Sequence, residues 1–271
     1  MSNLKVALYS VPRSGSSWLG EIINSSPVVN YSYQPLFSYE FKSRLDEDSL
    51  NCDIESFFKD ISLSENEFTR QVDERTLGKK PSFAKNEMEV IAYKEVRYIN
   101  IIKNLLETSD DIKIVGLIRN PLSVLSSWKS APREFRVDLG WDFDKEWESA
   151  SLKNEGKKEE FFGYNKWKET ALLFEELKKN YPERFYLMTY DELLSDLEST
   201  VFALFEFLNI PMTEQTLVFL NATSKKGKSG TYSVYNGGKS QDDSWKNNLP
   251  KNIIDQVISD CINSNLEKYL K

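Results

Sequence analysis

The sequence predicts an α/β fold with three layers, α/β/α, around a central and mostly parallel sheet, with a helical insertion. Three observations predict it. Short β-branched or apolar runs alternate with segments of helical periodicity. The first run ends in the turn Pro12-Arg13-Ser14-Gly15 and passes at once into a helical pattern. A later apolar run ends in Arg119-Asn120-Pro121, again followed by a helical pattern.

In chain order, Lys5 to Val11 reads as a strand, and Ser17 to Ser25 as a helix with Trp18, Leu19, Ile22 and Ile23 on its apolar side. Pro27 to Tyr33 is β-branched and aromatic and predicts a second strand. Residues 37–85 are charged and weakly periodic, which predicts a helical insertion or lid. Met88 to Val96 predicts a strand, Ile99 to Glu107 a helix, and Ile112 to Ile118 a buried strand. Pro121 suits the first position of the next helix, where its missing N–H is harmless, and Leu122, Leu125 and Trp128 continue the apolar face. Tyr164 to Leu177 predicts a helix, Phe185 to Thr189 a strand, and Asp191 to Leu208 one amphipathic helix. Residues 221–244 end in a Gly-, Ser- and Lys-rich loop. The whole, 1–271, is expected to form a single domain.

Composition narrows the function. With 40% hydrophobic residues the chain can bury a substantial core, and a net charge of -7 argues against general nucleic-acid binding. A small anion needs only a local cluster of cations and backbone N–H groups. There is no histidine, which removes the commonest general base and the commonest metal ligand. Cys52 and Cys261 lack metal-ligand spacing. No stretch of about 18 apolar residues is present to span a bilayer, and Met1 to Ser10 lacks the order of a secretory leader, so a cytoplasmic location is expected.

The turn after the first strand presents backbone N–H groups and a helix dipole to an anion. It is not a Walker A loop: with the second glycine placed on Gly15, Ser10 stands at the first glycine and Ser16 at the lysine. Arg13 supplies a cation from the other side. Taken alone, the turn reads equally well as a capped helix start. Arg119 at a strand end and Ser127 two turns into the next helix add a guanidinium and a hydroxyl suited to a second phosphate. Two anion sites imply a doubly anionic ligand.

These segments resemble the sulfotransferase superfamily that uses 3′-phosphoadenosine 5′-phosphosulfate (PAPS), itself a P-loop NTPase-like fold. PRSGSSWLGEI is similar to the family's 5′-phosphosulfate loop and IRNPLSVLSSW to its 3′-phosphate motif. TYSVYNGGKSQDDSWKNNLP is similar to its cofactor-covering loop, and TYDELLSDLESTVFALFEFLNIP to the helix after its fourth strand. The resemblance runs in order from Lys5 to Leu249. It implies that Arg13, Ser14, Gly15, Ser16 and Ser17 bind the 5′-phosphosulfate, that Trp18 either stacks on adenine or anchors the core, and that Arg119 and Ser127 bind the 3′-phosphate. Lys225, Lys226, Gly227 and Lys239 fall in the covering loop. No metal is implied.

Transfer of a sulfuryl group needs positive charge on the migrating group, a stabilised leaving phosphate and a base on the acceptor. Arg13 and Lys94 supply charge; Lys94 resembles the catalytic lysine of cytosolic members, which carry a histidine two residues on, where this chain has Val96. Carbohydrate-type members, which the chain resembles more closely around RSGSSWLGEI and Tyr33-Gln34-Pro35-Leu36, carry a Glu-Pro pair whose glutamate is the base. Here that residue is Gln34. Glu40 and Glu95 are the candidate bases. The resemblance favours a glycan or glycan-like hydroxyl acceptor, with an amine, a lipid or a phenol as further classes. Two other functions stay open: a nucleotide-dependent phosphotransferase, which the missing Walker lysine opposes, and a non-catalytic PAPS binder that has lost its base.

Overall fold

The computed structural model describes residues 4–225 and 242–270. Five strands, β1 (Leu4–Tyr9), β2 (Val29–Tyr33), β3 (Val90–Glu95), β4 (Ile112–Ile118) and β5 (Phe185–Thr189), form one sheet in the order β2-β3-β1-β4-β5, and every neighbouring pair is parallel. The helices are α1 (Ser16–Asn24), α2 (Asn51–Leu63), α3 (Glu67–Arg70), α4 (Val72–Thr76), α5 (Ile102–Thr108), α6 (Pro121–Lys129), α7 (Phe143–Glu146) and α8 (Ser151–Asn154), followed by α9 (Tyr164–Asn180), α10 (Tyr190–Ser195), α11 (Leu197–Leu208), α12 (Glu214–Lys225), α13 (Trp245–Asn248) and α14 (Lys251–Cys261).

The alternation of side chains along each strand divides the core in two. Ala7 and Tyr9 of β1, Ile91 and Tyr93 of β3, and Ile112 and Ile114 of β4 pack with α2, α5, α6, α9 and α14. Val6 and Leu8, Val90 and Ala92, and Val115 and Leu117 face the other way, against α1, α10, α11 and α12. Parallel strands covered on both faces are the expected outcome of such unbroken apolar runs. The same parity sends the last two residues of β3 to opposite faces, Lys94 with Ala92 and Glu95 with Tyr93.

One expected element divides. Residues 191–208 form α10 and α11 instead of one helix, because each has its own start. The Thr189 side chain accepts from Glu192 N at 3.2 Å while Glu192 Oε2 accepts from Thr189 N at 2.6 Å, a capping box, and Asp196 accepts from Ser199 N at 3.2 Å to begin α11. The helix expected over Ile99 to Glu107 likewise begins with a 3₁₀ turn, Ile99–Ile101, before α5.

Between β2 and β3, α2, α3 and α4 pack on the open edge of the sheet, and two arginines hold them. Arg70 donates to Asn30 Oδ1 (2.6 Å), Tyr31 O (3.0 Å), Ile61 O (2.8 Å) and Ser64 O (2.7 Å), tying a β2 carbonyl to the carbonyls at the end of α2. Arg75 makes a bidentate contact with Glu21 of α1, at 3.0 and 2.9 Å, and the Glu21 side chain is only 1% exposed. Removing one partner of such a pair strands a buried charge. Arg75→Met is therefore expected to lower unfolding free energy by about 3 kcal/mol in urea denaturation, with faster amide exchange in α3 and α4 than in β1.

Candidate active site

All five strands end at one edge of the sheet, and the residues that follow β1, β2, β3 and β4 converge there. The crevice outside the carboxyl ends of parallel strands is where such sheets bind ligands.

The first component is the turn after β1. Arg13 has φ 72° and Gly15 has φ 91°, so two residues of the turn are left-handed. Gly15 takes the N-cap position of α1 without any side-chain cap, and no acidic residue occupies the first turn. The first N–H groups of a helix have no partner within it, and they carry the positive end of its dipole. Only glycine fits here. A Cβ on Gly15 would lie 2.5 Å from Cε2 and 2.6 Å from Cδ2 of Tyr190, whose ring closes the underside of the turn. Ser14 Oγ is buried and has no hydrogen-bond partner, a donor left over for an anion oxygen. The turn thus suits a phosphate or sulfate group.

The second component is Arg119, immediately after β4. Its Nη1 donates to the carbonyl of Arg13 at 2.7 Å, and its guanidinium lies 4.8 Å from the centre of the Tyr190 ring. Its Nε and Nη2 hold both carboxylate oxygens of Asp242, at 2.5 and 2.6 Å. The pair is largely buried, with side chains 12% and 3% exposed. Trp167 Nε1 donates to the Arg119 carbonyl at 2.9 Å, and Asn120 caps α6 by accepting from Leu122 N at 2.9 Å, so the backbone carrying Arg119 is held on both sides. Ser127, on the same helix, accepts from Arg13 Nε at 3.2 Å. The two motifs that the sequence separates by a hundred residues are in direct contact.

The third component is the β2 and β3 ends. Lys94 is 1% exposed and its ammonium stands 4.4 Å from the centre of the Tyr33 ring; that of Lys80 stands 4.0 Å from it. Burial pushes the Tyr33 phenol up to about 12, which keeps it a proton donor at neutral pH. Burial pushes Lys94 down and Glu95 up, each toward its neutral form.

The expected site residues do not all gather. Arg13, Ser14, Gly15, Ser16, Ser17, Arg119, Ser127 and Lys94 line this edge. Glu95 lies on the opposite face of the sheet, 0% exposed, where Oε1 accepts from Leu36 N at 2.8 Å. Glu40 is exposed and accepts from Ser64 Oγ at 2.9 Å. Trp18 is 3% exposed and meets Tyr190 edge-on at 6.0 Å, which places its ring in the core beneath the turn. Lys225 ends α12, while Lys226, Gly227 and Lys239 lie outside the described residues. Tyr190, Asp242 and the hydroxyl of Tyr33 belong to the site without having been singled out as its chemistry. Asp242 stands in a segment whose similarity was visible, but a carboxylate is not what an anion site announces.

A model of the sulfotransferase domain matches residues 4–267. Comparison with curated protein sequences returns no match. Among solved structures, the chain is similar to the mouse sulfotransferase SULT7A1 complexed with PAP, at 14% identity and a TM-score of 0.57, covering 98% of this chain and 86% of that one. It is also similar to a retinol dehydratase in complex with retinol and PAP, at 15% identity and a TM-score of 0.56, covering 98% of this chain and 83% of that one. At these identities the structures speak for the fold.

Because Gly15 is both left-handed and pressed against Tyr190, Gly15→Ala is expected to destabilise the protein by about 1–3 kcal/mol in thermal or urea denaturation. Gly15→Ala combined with Tyr190→Ala should lose less than the two single changes added together, since the clash is then removed.

Proposed function

The chain belongs to the sulfotransferase family, and on that premise we propose that it transfers a sulfuryl group from PAPS to a hydroxyl group of a glycan or glycan-like acceptor. The observation that carries the donor assignment is the contact between its two cationic elements, Arg119 Nη1 on the Arg13 carbonyl at 2.7 Å. One ligand can therefore engage both. The two similar structures named above each hold PAP, which supports the same reading.

In this assignment the N–H groups of the turn, with the Ser14, Ser16 and Ser17 hydroxyls, take the 5′-phosphosulfate, and Arg119 with Ser127 takes the 3′-phosphate. Arg13 and Lys94 balance the charge that gathers on the bridging oxygen as the sulfur leaves it. Burial acts against the Lys94 cation, and a bound dianion acts for it. Lys94 and the Tyr33 hydroxyl stand on the same side as the turn, so both can steady the migrating group. Trp18 packs beneath the turn and supports the adenine end. The loop residues Lys225, Lys226, Gly227 and Lys239 would cover the nucleotide.

Asp242 gives the donor site a competitor of its own. Its carboxylate holds the same Nε and Nη2 atoms that a phosphate would use, so binding exchanges one anion for the other. The acceptor face begins at Tyr33, whose ring meets Phe68 edge-on at 5.7 Å; Phe68 in turn meets Phe37 at 5.8 Å, and Phe37 is 46% exposed. Exposed aromatic side chains such as Phe37 can pack a ring face on the C–H face of a sugar, and the closer resemblance to carbohydrate-type members around Tyr33-Gln34-Pro35-Leu36 supports that class.

Two measurements test the proposal. Calorimetric titration with 3′-phosphoadenosine 5′-phosphate should show binding that is unchanged by magnesium or chelator, lost by tenfold or more in Arg119→Met and strengthened in Asp242→Asn; a preference for magnesium-bound nucleoside triphosphate would contradict it. Incubation with sulfur-labelled PAPS and a panel of glycans, lipids and phenols should then label a glycan hydroxyl. Label on a phenol or a lipid alone would overturn the acceptor class while keeping the donor.

A further inference from the structure

Neither of the positions at which related enzymes hold a base carries one here, since they are Gln34 and Val96. The structure offers another carboxylate. Glu134 lies in the turn after α6, where its N–H donates to Ala131 O at 2.8 Å and its carbonyl accepts from Trp128 Nε1 at 3.3 Å. That fixed backbone sends the side chain back toward the turn after β1. Glu134 Oε1 stands 3.6 Å from Arg13 Nη1, and the Arg13 Nε at the same time donates to Ser127. The side chains of the pair are 11% and 21% exposed.

The second oxygen is the informative one. Glu134 Oε2 is buried and has no hydrogen-bond partner. A desolvated carboxylate oxygen without a donor is costly, and native structures leave few of them. Through Arg13 the carboxylate sits directly beside the turn that follows β1.

We propose that Glu134 is the general base of sulfuryl transfer, its partly exposed carboxylate accepting the proton of the acceptor hydroxyl beside Arg13. The proposal rests on the PAPS reading of the donor site. As the acceptor oxygen bonds to sulfur, its proton passes to Glu134. The bond between sulfur and the bridging oxygen breaks, and its electron pair leaves on the 5′-phosphate of the product nucleotide. The proton then goes from Glu134 to water, which restores the carboxylate.

Geometry separates this residue from the other glutamates. Glu95 also has a buried oxygen without a partner, but its whole side chain is closed off on the far face of the sheet beside Tyr93, away from the donor turn, and its burial favours the protonated form. Glu40 is exposed and engaged by Ser64. Of the three, Glu134 is the one in contact with the donor turn.

The test uses the full chain and the variants Glu134→Gln and Glu134→Asp, with calorimetry against 3′-phosphoadenosine 5′-phosphate and transfer of sulfur label to the acceptor that the wild type labels in the panel. Glu134→Gln should bind the nucleotide within about threefold of wild type, which also reports that it is folded, yet transfer label about 100-fold more slowly or worse. Its rate should lose the acidic limb of the wild-type pH profile, and Glu134→Asp should retain both the limb and part of the rate. Transfer by Glu134→Gln within about threefold of wild type, or with the acidic limb intact, overturns the proposal. So does a loss of nucleotide affinity as large as the loss of rate, which would make Glu134 a donor-site residue. A wild type that does not bind the nucleotide overturns the donor reading instead, and the base assignment with it.

Discussion

The site depends on the guanidinium of Arg119. One planar group joins three chain segments: it donates to the Arg13 carbonyl in the turn after β1, clamps Asp242 beside α13, and lies over the ring of Tyr190 at the start of α10. Tyr190 in turn fills the space under Gly15, where no Cβ could stand. The left-handed backbone at Arg13 and Gly15 is thus held from below by an aromatic ring and from the side by an arginine. Such backbone conformations persist only where the surroundings over-determine them. A lysine could not replace this arginine, because it lacks the fork that reaches a carboxylate and a carbonyl together.

The acidity of the whole chain and the cationic character of this edge are compatible because the charges are locally arranged. A net charge of -7 is carried mainly by exposed carboxylates, while Arg13, Lys94 and Arg119 are largely buried around the turn. A buried cation needs an anionic partner. Arg13 has Glu134 and Arg119 has Asp242, one carboxylate for each of the two arginines. The two carboxylates differ in what they do for a ligand. Asp242 satisfies both of its oxygens on Arg119 and so occupies a place that a phosphate would take, whereas Glu134 satisfies one oxygen and leaves the other unspent.

Much of the architecture was legible in the sequence because strand and helix periods are local properties. The strands Ile112–Ile118 and Phe185–Thr189 have the bounds their apolar runs announced, and Pro121 opens α6 as its missing N–H suggested. The break between α10 and α11 was legible too, in Thr189 and Glu192 and in Asp196 and Ser199, but a continuous apolar face obscured two separate caps. The placement of Lys94 and Glu95 on opposite faces follows from the period of a strand, which separates them however close they stand in sequence. By contrast, the pairing of Arg13 with Glu134 and of Arg119 with Asp242 is a matter of tertiary distance. No spacing rule links those residues, and a carboxylate in a polar turn looks like any solvated charge until its neighbours are known.

In the proposed donor site one nucleotide bridges the turn after β1 and Arg119. A crystal structure of the full chain grown with 3′-phosphoadenosine 5′-phosphate tests it most directly. The 5′-phosphate is expected on the N–H groups of residues 14–17, the 3′-phosphate on the Nε and Nη2 of Arg119 and on Ser127, and the Asp242 carboxylate displaced from that guanidinium. A nucleotide bound elsewhere, with the Arg119–Asp242 pair intact, would contradict it.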